Sequence, residues 1–325
     1  MRMRTITILV LVAAALWSAW WVAGWQATRT ALARGQAEAL ARGWTAAWSD
    51  ASVSGYPNRF DTRLTDVVLA DPNAHLVVTA PRLDAMMLSY RPNRAIVAFP
   101  PEMGVEVYGL PVVVRSERMR ASVVVEPALP PALDRATLVG EGLLLEALGG
   151  ALGVARAQVA TRQAGGRDRH DVAVDLVEIA VPAPLVTLLA PGGLPPVMEE
   201  ARVDASVTFD GPLDATAGRD LRVRDVELRR ANLLWGDVAL VASGDLRADE
   251  AGLLSGALEV RARGWRRLLD VAEAQRLLPQ GQRPLIEAAL GGLAGEDGAV
   301  EAALSVVNGA VRLGPFTVGR LPRLR

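Results

Sequence analysis

Apolar residues follow two different patterns along this chain. Between Ile6 and Trp25 they form a nearly unbroken run that contains no charged residue. A helix of about twenty residues, rising 1.5 Å per residue, spans roughly 30 Å, the thickness of a bilayer's hydrocarbon core. From Val53 onward, apolar and polar residues alternate in short runs separated by Pro, Gly, Asn and Asp, as in antiparallel strands with one buried face. The patterns predict a membrane helix followed by a mainly β region.

The apolar run fits an uncleaved signal anchor better than a cleaved signal peptide. Its length exceeds that of a signal peptide's apolar core, and a signal peptidase site prefers small residues at the exit. Short matches at Ala13–Ala15 and Trp17–Ala19 keep cleavage open as the alternative. Indole rings favour the membrane interface. Four of them lie at the end of the run, in Trp17, Trp20, Trp21 and Trp25.

The charges that flank the run do not decide its orientation. Arg2 and Arg4 precede it, while Arg29, Arg34 and Arg42 follow it. A short basic head before a single span is typical of an amino-terminal export anchor. We therefore expect the chain in the cytoplasmic (inner) membrane, with its bulk in the periplasm. The absence of cysteine is compatible with either side of the membrane.

The predicted fold class is mainly β (β-rich α+β), with curved antiparallel sheets and a few short helices. A juxtamembrane amphipathic helix is expected either to lie on the membrane or to pack on the folded domain, and packing is favoured because its polar side is not rich in basic residues. Its apolar stripe is predicted to contain Ala33, Ala37, Leu40, Trp44 and Trp48. The predicted regions are an anchor at 1–28, the amphipathic helix at 29–49, a first antiparallel β region at 50–198 and a second at 199–325, with helices near 265–293.

Several elements of the second β region are predicted in detail. The strand Ala201–Asp210 alternates strictly, and a shift in alternation between Leu221 and Leu228 predicts a bulge near Arg224–Asp225. Hairpins are expected around 249–252 and at Asn308–Gly309, the latter joining strands 300–307 and 310–313. Two helices are predicted, one from Trp265 to Leu278 and one from Pro284 to Leu293. The segment 143–152 is ambiguous between strand and helix, and strand is favoured.

Composition removes several kinds of chemistry. The 325 residues include no cysteine and no lysine, since all 35 basic residues other than histidine are arginine. A P-loop lysine, a Schiff-base lysine, a thiol nucleophile and a thiolate metal site are therefore excluded. A net charge of −1, with arginines interleaved among acidic residues, argues against nucleic acid as a partner.

No catalytic, cofactor-binding or metal-binding residue is predicted. His75 and His170 stand apart from each other and are interpreted as surface histidines; the stretch around His170 is predicted to be a solvated loop. Gly252–Gly256 has one residue too many for the G-x-S-x-G pattern of a nucleophile elbow. Gly140–Gly142 lacks the third glycine of a dinucleotide-binding fingerprint. A hydrolase remains a minor hypothesis, because it needs two converging carboxylates. The candidates are Asp204, Asp225 and Glu227, which alternation places along solvated strand faces.

Several short motifs follow one another in a fixed order along the chain. The amino-terminal part has the Trp-rich anchor and then Ser54–Phe60 (SGYPNRF). The carboxy-terminal half contains Gly244–Leu246 with Gly256–Leu258, then Trp265–Leu269, and then Asn308–Gly309 followed by Leu313–Pro322. In this order the motifs resemble a bacterial envelope family known as domain of unknown function 2125. The closing strand–turn–strand pattern is also distantly similar to AsmA-like envelope proteins. That similarity implies curved sheets with an apolar inner surface and a link to lipid movement.

Two non-catalytic functions follow from these observations. One is a membrane-anchored envelope protein that binds a lipid or another amphiphile in an apolar groove lined by sheets, because one-sided strands with few covering helices must bury their apolar faces against something. The alternative is an envelope scaffold that binds a partner protein along an exposed sheet edge. Gly55–Pro57 within the Ser54–Phe60 motif is interpreted as a plain turn in preference to a binding element.

Overall fold

The protein folds into two compact units, residues 1–124 and 125–325. A computed structural model describes residues 2–128, 130–214, 221–276, 281–314 and 316–324. The helices are α1 (Arg2–Ala41), α2 (Ala183–Leu189), α3 (Trp265–Ala274) and α4 (Arg283–Gly292). The strands of the first unit are β1 (Thr45–Ala47), β2 (Asp50–Ser54), β3 (Arg59–Asp71), β4 (Leu76–Leu88), β5 (Arg91–Ala98), β6 (Glu102–Val107), β7 (Leu110–Arg115) and β8 (Arg118–Val125).

The second unit contains most of the long strands. They are β9 (Leu133–Ala147), β10 (Gly150–Gly166), β11 (Arg169–Ala180), β12 (Val197–Phe209), β13 (Val223–Trp235), β14 (Val238–Ala248), β15 (Leu254–Arg263), β16 (Val300–Val307), β17 (Ala310–Leu313) and β18 (Phe316–Arg320). The predicted fold class is confirmed: the chain is mainly β, with one long amino-terminal apolar helix, antiparallel pairing and few short helices.

The helix α1 is continuous from Arg2 to Ala41. Its apolar part makes it, within the described residues, a helix long and apolar enough to cross a membrane. The predicted extension to residue 49 is wrong, because Gly43 adopts a left-handed φ of 74° and strand β1 begins at Thr45. The predicted apolar stripe is wrong as well: Leu40 is 75% exposed, and Trp48 packs in the core of the first unit instead.

The first unit is organised around two long strands. β3 pairs with β1, β2 and β4, and β4 continues to β5 and β6, while β7 and β8 extend the sheet from β6 and β5. The apolar core of this unit is centred on Val67, Ala80 and Met103. Because β3 and β4 have thirteen residues each, the unit has two well-separated strand ends.

The second unit is a meander in which each strand from β9 to β18 pairs antiparallel with its successor in sequence. The helix α2 connects β11 to β12, and α3 and α4 lie between β15 and β16. The predicted strands 300–307 and 310–313 are confirmed, as is the hairpin after residue 248. The segment 143–152 is strand, as favoured, but it forms the end of β9 and the start of β10.

The predicted bulge is confirmed. Thr208 pairs with Asp225 while Phe209 pairs with Val223, so Arg224 is the extra residue on β13. A second bulge, which was not predicted, lies on the same strand at Arg229.

The observed helices of the second unit match the predicted helices in part. α3 begins at the predicted Trp265 but ends at Ala274, and residues 277–280 of the predicted helix lie outside the described residues. The predicted helix from Pro284 is confirmed as α4. α2 was missed, because a seven-residue helix between prolines is too short to show helical periodicity.

A close approach of two backbones explains a pair of glycines in the β14–β15 hairpin. Gly244 and Gly256 have φ values of 149° and 155°. A Cβ atom on Gly256 would lie 2.1 Å from the carbonyl oxygen of Asp245, and one on Gly244 would lie 2.2 Å from that of Ala257. Any side chain at these positions would separate the two strands.

Candidate functional site

The alternation of the second unit places apolar side chains in rows across one sheet face. One row runs in register through Leu138, Val159, Val174, Val203 and Ala231, and it continues through Ala242, Val260 and Ala302. Residues opposite each other on neighbouring strands lie on the same face, so the row is one continuous apolar stripe across eight strands. We call this side of the sheet the apolar face.

The apolar face is covered unevenly. On β14 to β16 it lies beneath the helices, where Trp265 and Leu269 of α3 pack with Val300. On β9 to β12 the same row is open: Leu138 is 37% exposed, Val159 41% and Val203 38%. Val174, between the two valines in the register, is half-buried. We call the stripe Leu138–Val159–Val174–Val203 the open strip.

Other parts of the second unit pack at both ends of the strands that carry the open strip. At one end, α2, α3 and the turn Ala190–Gly192 pack around Leu194, Trp235 and Val238. Trp235 donates its indole N–H to the carbonyl oxygen of Pro195 at 2.7 Å. At the other end, Leu133 is hydrogen-bonded to Leu213 and Arg167 donates to the carbonyl oxygen of Pro130, which ties two loops together. Both ends of these strands are therefore tied to a helix or a loop of the same unit.

His170 lies at this second end, and its interpretation as a surface histidine is wrong. The side chain is fully buried on the apolar face, with its ring 6.3 Å from that of Phe209. Its Nδ1 lies 3.4 Å from the hydroxyl of Thr161, while its Nε2 has no hydrogen-bond partner. Burial lowers the pKa of His170, so the imidazole is neutral. The burial of His170 is not visible in the sequence, because its charged neighbours Arg169 and Asp171 lie on the opposite face of β11. His75 is exposed, as predicted, with its ring 5.0 Å from that of Tyr108.

The opposite face of the same strands is charged. The second bulge brings the guanidinium of Arg229 to the carboxylate of Asp171 (2.7 Å), the hydroxyl of Ser206 (2.7 Å) and the carboxylate of Asp204. Arg162 also bonds Asp171, at 3.0 Å. These donors lower the pKa of Asp171 well below its usual range, with the Arg229 hydrogen bond as the largest cause. The bulge on β13 therefore places the guanidinium of Arg229 where it bonds side chains of both β12 and β11.

The three candidate carboxylates are each paired with an arginine, which lies on an adjacent strand for Asp204 and Asp225 and two strands away, on β11, for Glu227. Asp204 pairs with Arg229, Asp225 with Arg247 at 3.2 Å, and Glu227 with Arg169 at 2.6 Å. Their side chains are 50–55% exposed. The last two pairs line an open depression of about 620 Å³ on the charged face. Within the described ranges, no group of three or more His, Asp or Glu side chains is arranged to hold a metal ion.

Comparison with known proteins places the chain in a family. A family model described as "Uncharacterized protein conserved in bacteria (DUF2125)" matches residues 20–322. No curated protein and no solved structure gave a significant match.

Proposed function

Since this chain belongs to the DUF2125 family, we propose that it is a membrane-anchored periplasmic envelope protein that binds the acyl chain of a lipid on the open strip. The observation that carries this proposal is the row Leu138–Val159–Val174–Val203 on four adjacent strands, in which Leu138, Val159 and Val203 are exposed and Val174 is half-buried. Apolar rows of this kind are normally covered by another layer. An acyl chain would complete the layer that the helices begin.

The membrane anchor supports a lipid as the occupant. The apolar helix α1 would tether the chain to a bilayer, where lipid is the most abundant apolar ligand. The strip is lined by branched aliphatic side chains, and the arginine–carboxylate pairs formed by Asp171 and Asp204 lie on the other face of the same strands. Such a surface matches a hydrocarbon chain and offers little to a charged ligand.

Photo-cross-linking of the full-length chain tests the proposal. The protein is reconstituted with a phospholipid that carries a diazirine in its acyl chain, and the labelled peptides are mapped after irradiation. We expect labelling in α1 and in β9 to β12. Labelling of α1 provides an internal reference, because that helix contacts lipid whether or not the open strip does.

A double variant on the open strip makes the test specific. Val159→Gln with Val203→Gln should lower strip labelling about tenfold, since half-burial of two valines contributes roughly 1.4 kcal/mol in all. Both positions are about two-fifths exposed, so the fold should tolerate glutamine. Arg202→Gln, next to Val203 on the opposite face, is the matched control and should leave labelling unchanged. Equal labelling of the wild type and the double variant would refute lipid binding at this strip.

A sheet edge supports a second candidate, the binding of a partner protein by strand addition. Within the described residues, β18 pairs with β17 on one side only, and Val318 on β18 is 56% exposed. An edge of this kind offers free backbone groups to an added strand. Cross-linking in membranes tests it: one dominant protein adduct on β18 supports the scaffold, and the absence of such an adduct rejects it.

A further inference from the structure

The helix α1 consists of a bare part and a docked part. From Met3 to Leu16 its side chains are exposed on all sides. From Ser18 onward one face is covered by β1, β2 and β3 of the first unit. The half-buried positions on that face recur at helical spacing, at Ser18, Trp21, Trp25, Thr28, Leu32, Gln36 and Ala39. Docking therefore begins well inside the apolar run.

Four tryptophans of α1 donate their indole N–H groups to backbone carbonyl oxygens of the first unit. The acceptors belong to the end of β2, the turn before β3 and the turn between β4 and β5. The bonds run from Trp17 to Pro57 (3.0 Å), from Trp20 to Ser89 (3.1 Å), from Trp21 to Arg59 (2.8 Å) and from Trp25 to Val53 (3.2 Å). The indoles thus hold the turns Gly55–Phe60 and Leu88–Arg91 against the helix.

Close packing accompanies these hydrogen bonds. A Cβ atom on Gly24 would lie 2.2 Å from the ring of Phe60, so only glycine admits that ring, which is 3% exposed. The hydroxyl groups of Ser18 and Tyr56 are 2.8 Å apart, and the rings of Trp21 and Tyr56 meet edge to face at 5.5 Å. The turns and the helix therefore form one packed body within the first unit.

The bare part is too short to cross a bilayer by itself. Fourteen helical residues from Met3 to Leu16 span about 21 Å, whereas a hydrocarbon core is about 30 Å thick. About six further residues, as far as Val22, must lie within the membrane to complete the span. Those residues include Trp17, which is bonded to Pro57 of the first turn, and Trp20, which is bonded to Ser89 of the second.

We infer that the turns Gly55–Phe60 and Leu88–Arg91 enter the bilayer leaflet on the side of the folded domain. This inference rests on the membrane anchoring in the proposed function and is independent of the open strip. The occupant of the surface formed by these turns is the lipid bilayer itself. Tyr56 and Tyr90 project from them, 59% and 57% exposed, and tyrosine favours the layer between headgroups and hydrocarbon.

The hydrogen bonds suit such a position. Irregular backbone at membrane depth is tolerated where its polar groups find partners in the protein. The indoles supply donors to four carbonyl oxygens, while the carbonyl oxygens of Gly55 and Asn58 accept the N–H groups of Arg59 and Ser89. The turns can therefore lose water without leaving these oxygens unpaired.

The absence of cysteine allows a direct measurement of depth. Single variants Val10→Cys, Tyr90→Cys and Tyr108→Cys of the full-length chain are labelled with a nitroxide and reconstituted in phosphatidylcholine–phosphatidylglycerol vesicles. Collision rates with oxygen and with a water-soluble nickel chelate then give the depth of each label. Tyr108 is the matched control, an exposed turn tyrosine of the same unit. It lies beside the Leu76 end of β4, twelve residues and about 40 Å from the Leu88 end.

We expect the Val10 label deep in the bilayer, the Tyr90 label at or below the headgroups, and the Tyr108 label in water. Adding Gly24→Leu, which collides with Phe60, should return the Tyr90 label to water while the Val10 label stays deep. A deep Val10 label with Tyr90 as accessible to nickel as Tyr108 would overturn the inference and leave the anchor intact. A water-exposed Val10 label would overturn the anchor and the inference together.

Discussion

Replacing Arg229 with methionine should destabilise the second unit by about 2 kcal/mol. The variant keeps the aliphatic stem but removes the guanidinium from Asp171, whose side chain is 15% exposed, and from Ser206, which is 2% exposed. A hydrogen bond to a largely buried charge contributes about 1.5–3 kcal/mol. The pair with the more exposed Asp204 adds little, because surface ion pairs contribute about 0–1 kcal/mol. Arg162 still bonds Asp171, which keeps the loss near the middle of this range.

Thermal unfolding of the full-length chain in detergent, followed by tryptophan fluorescence, measures this effect. For a unit of this size, about 2 kcal/mol corresponds to a fall in Tm of roughly 4–8 °C. The matched control is Arg247→Met, whose pair with Asp225 is exposed on both sides, and it should lower the Tm by at most about 2–4 °C. Equal shifts for the two variants would refute the role given to the bulge at Arg229.

The same substitution has a predictable dependence on pH. Folding lowers the pKa of Asp171, so the unfolded state binds protons more readily than the folded state. The stabilisation is therefore complete above the unfolded pKa of about 3.9 and is lost as the pH falls further, towards the lower folded pKa. The difference between wild type and Arg229→Met should be full at pH 7 and clearly smaller at pH 3. A difference that stays constant between these two values would contradict the assignment to Asp171.

Three further predictions concern other parts of the chain. Gly256→Ala should destabilise the second unit by about 2 kcal/mol or more in thermal unfolding, because its Cβ meets backbone, whereas Gly291→Ala in an open helical position should be neutral or stabilising. Replacing Val10 and Leu11 with arginine should abolish membrane insertion, since each central charge costs about 2.5–3.5 kcal/mol. Alkali extraction measures the insertion, and recovery of the variant in the membrane fraction would contradict this prediction. Because folding lowers the pKa of His170, stability should fall as the pH drops below about 6.5, and His170→Leu should abolish that fall in thermal unfolding at pH 5 and pH 7.

Short-range patterns predicted much of the second unit. The alternation of Ala201–Asp210 matches β12, because a strand with one buried face must alternate. The shift near Arg224 marked a bulge, and Asn308–Gly309 marked a turn in which both residues have positive φ, at 49° and 78°. These features depend on a few neighbouring residues and are therefore visible in a single sequence.

Features that depend on distant partners were not predicted. The burial of His170 results from loops that meet across the unit, and nothing adjacent in sequence reports it. The tryptophans of α1 were correctly noted, but their carbonyl acceptors lie 28 to 69 residues away. The open strip falls between these cases: alternation gives each strand an apolar side, while the register and the helices decide which part of it stays uncovered.

The meander of the second unit also bears on how the chain acquires its fold. Every strand from β10 onward pairs with the strand that precedes it in sequence. Each strand can therefore pair as soon as it is available, without a partner from a distant segment. Topologies dominated by such near-neighbour pairing have low contact order and fold quickly for β proteins. A chain that emerges from the ribosome amino terminus first can add one hairpin at a time to a growing edge. Each unfinished edge is then occupied by the next strand soon after it appears, which shortens the time available for aggregation.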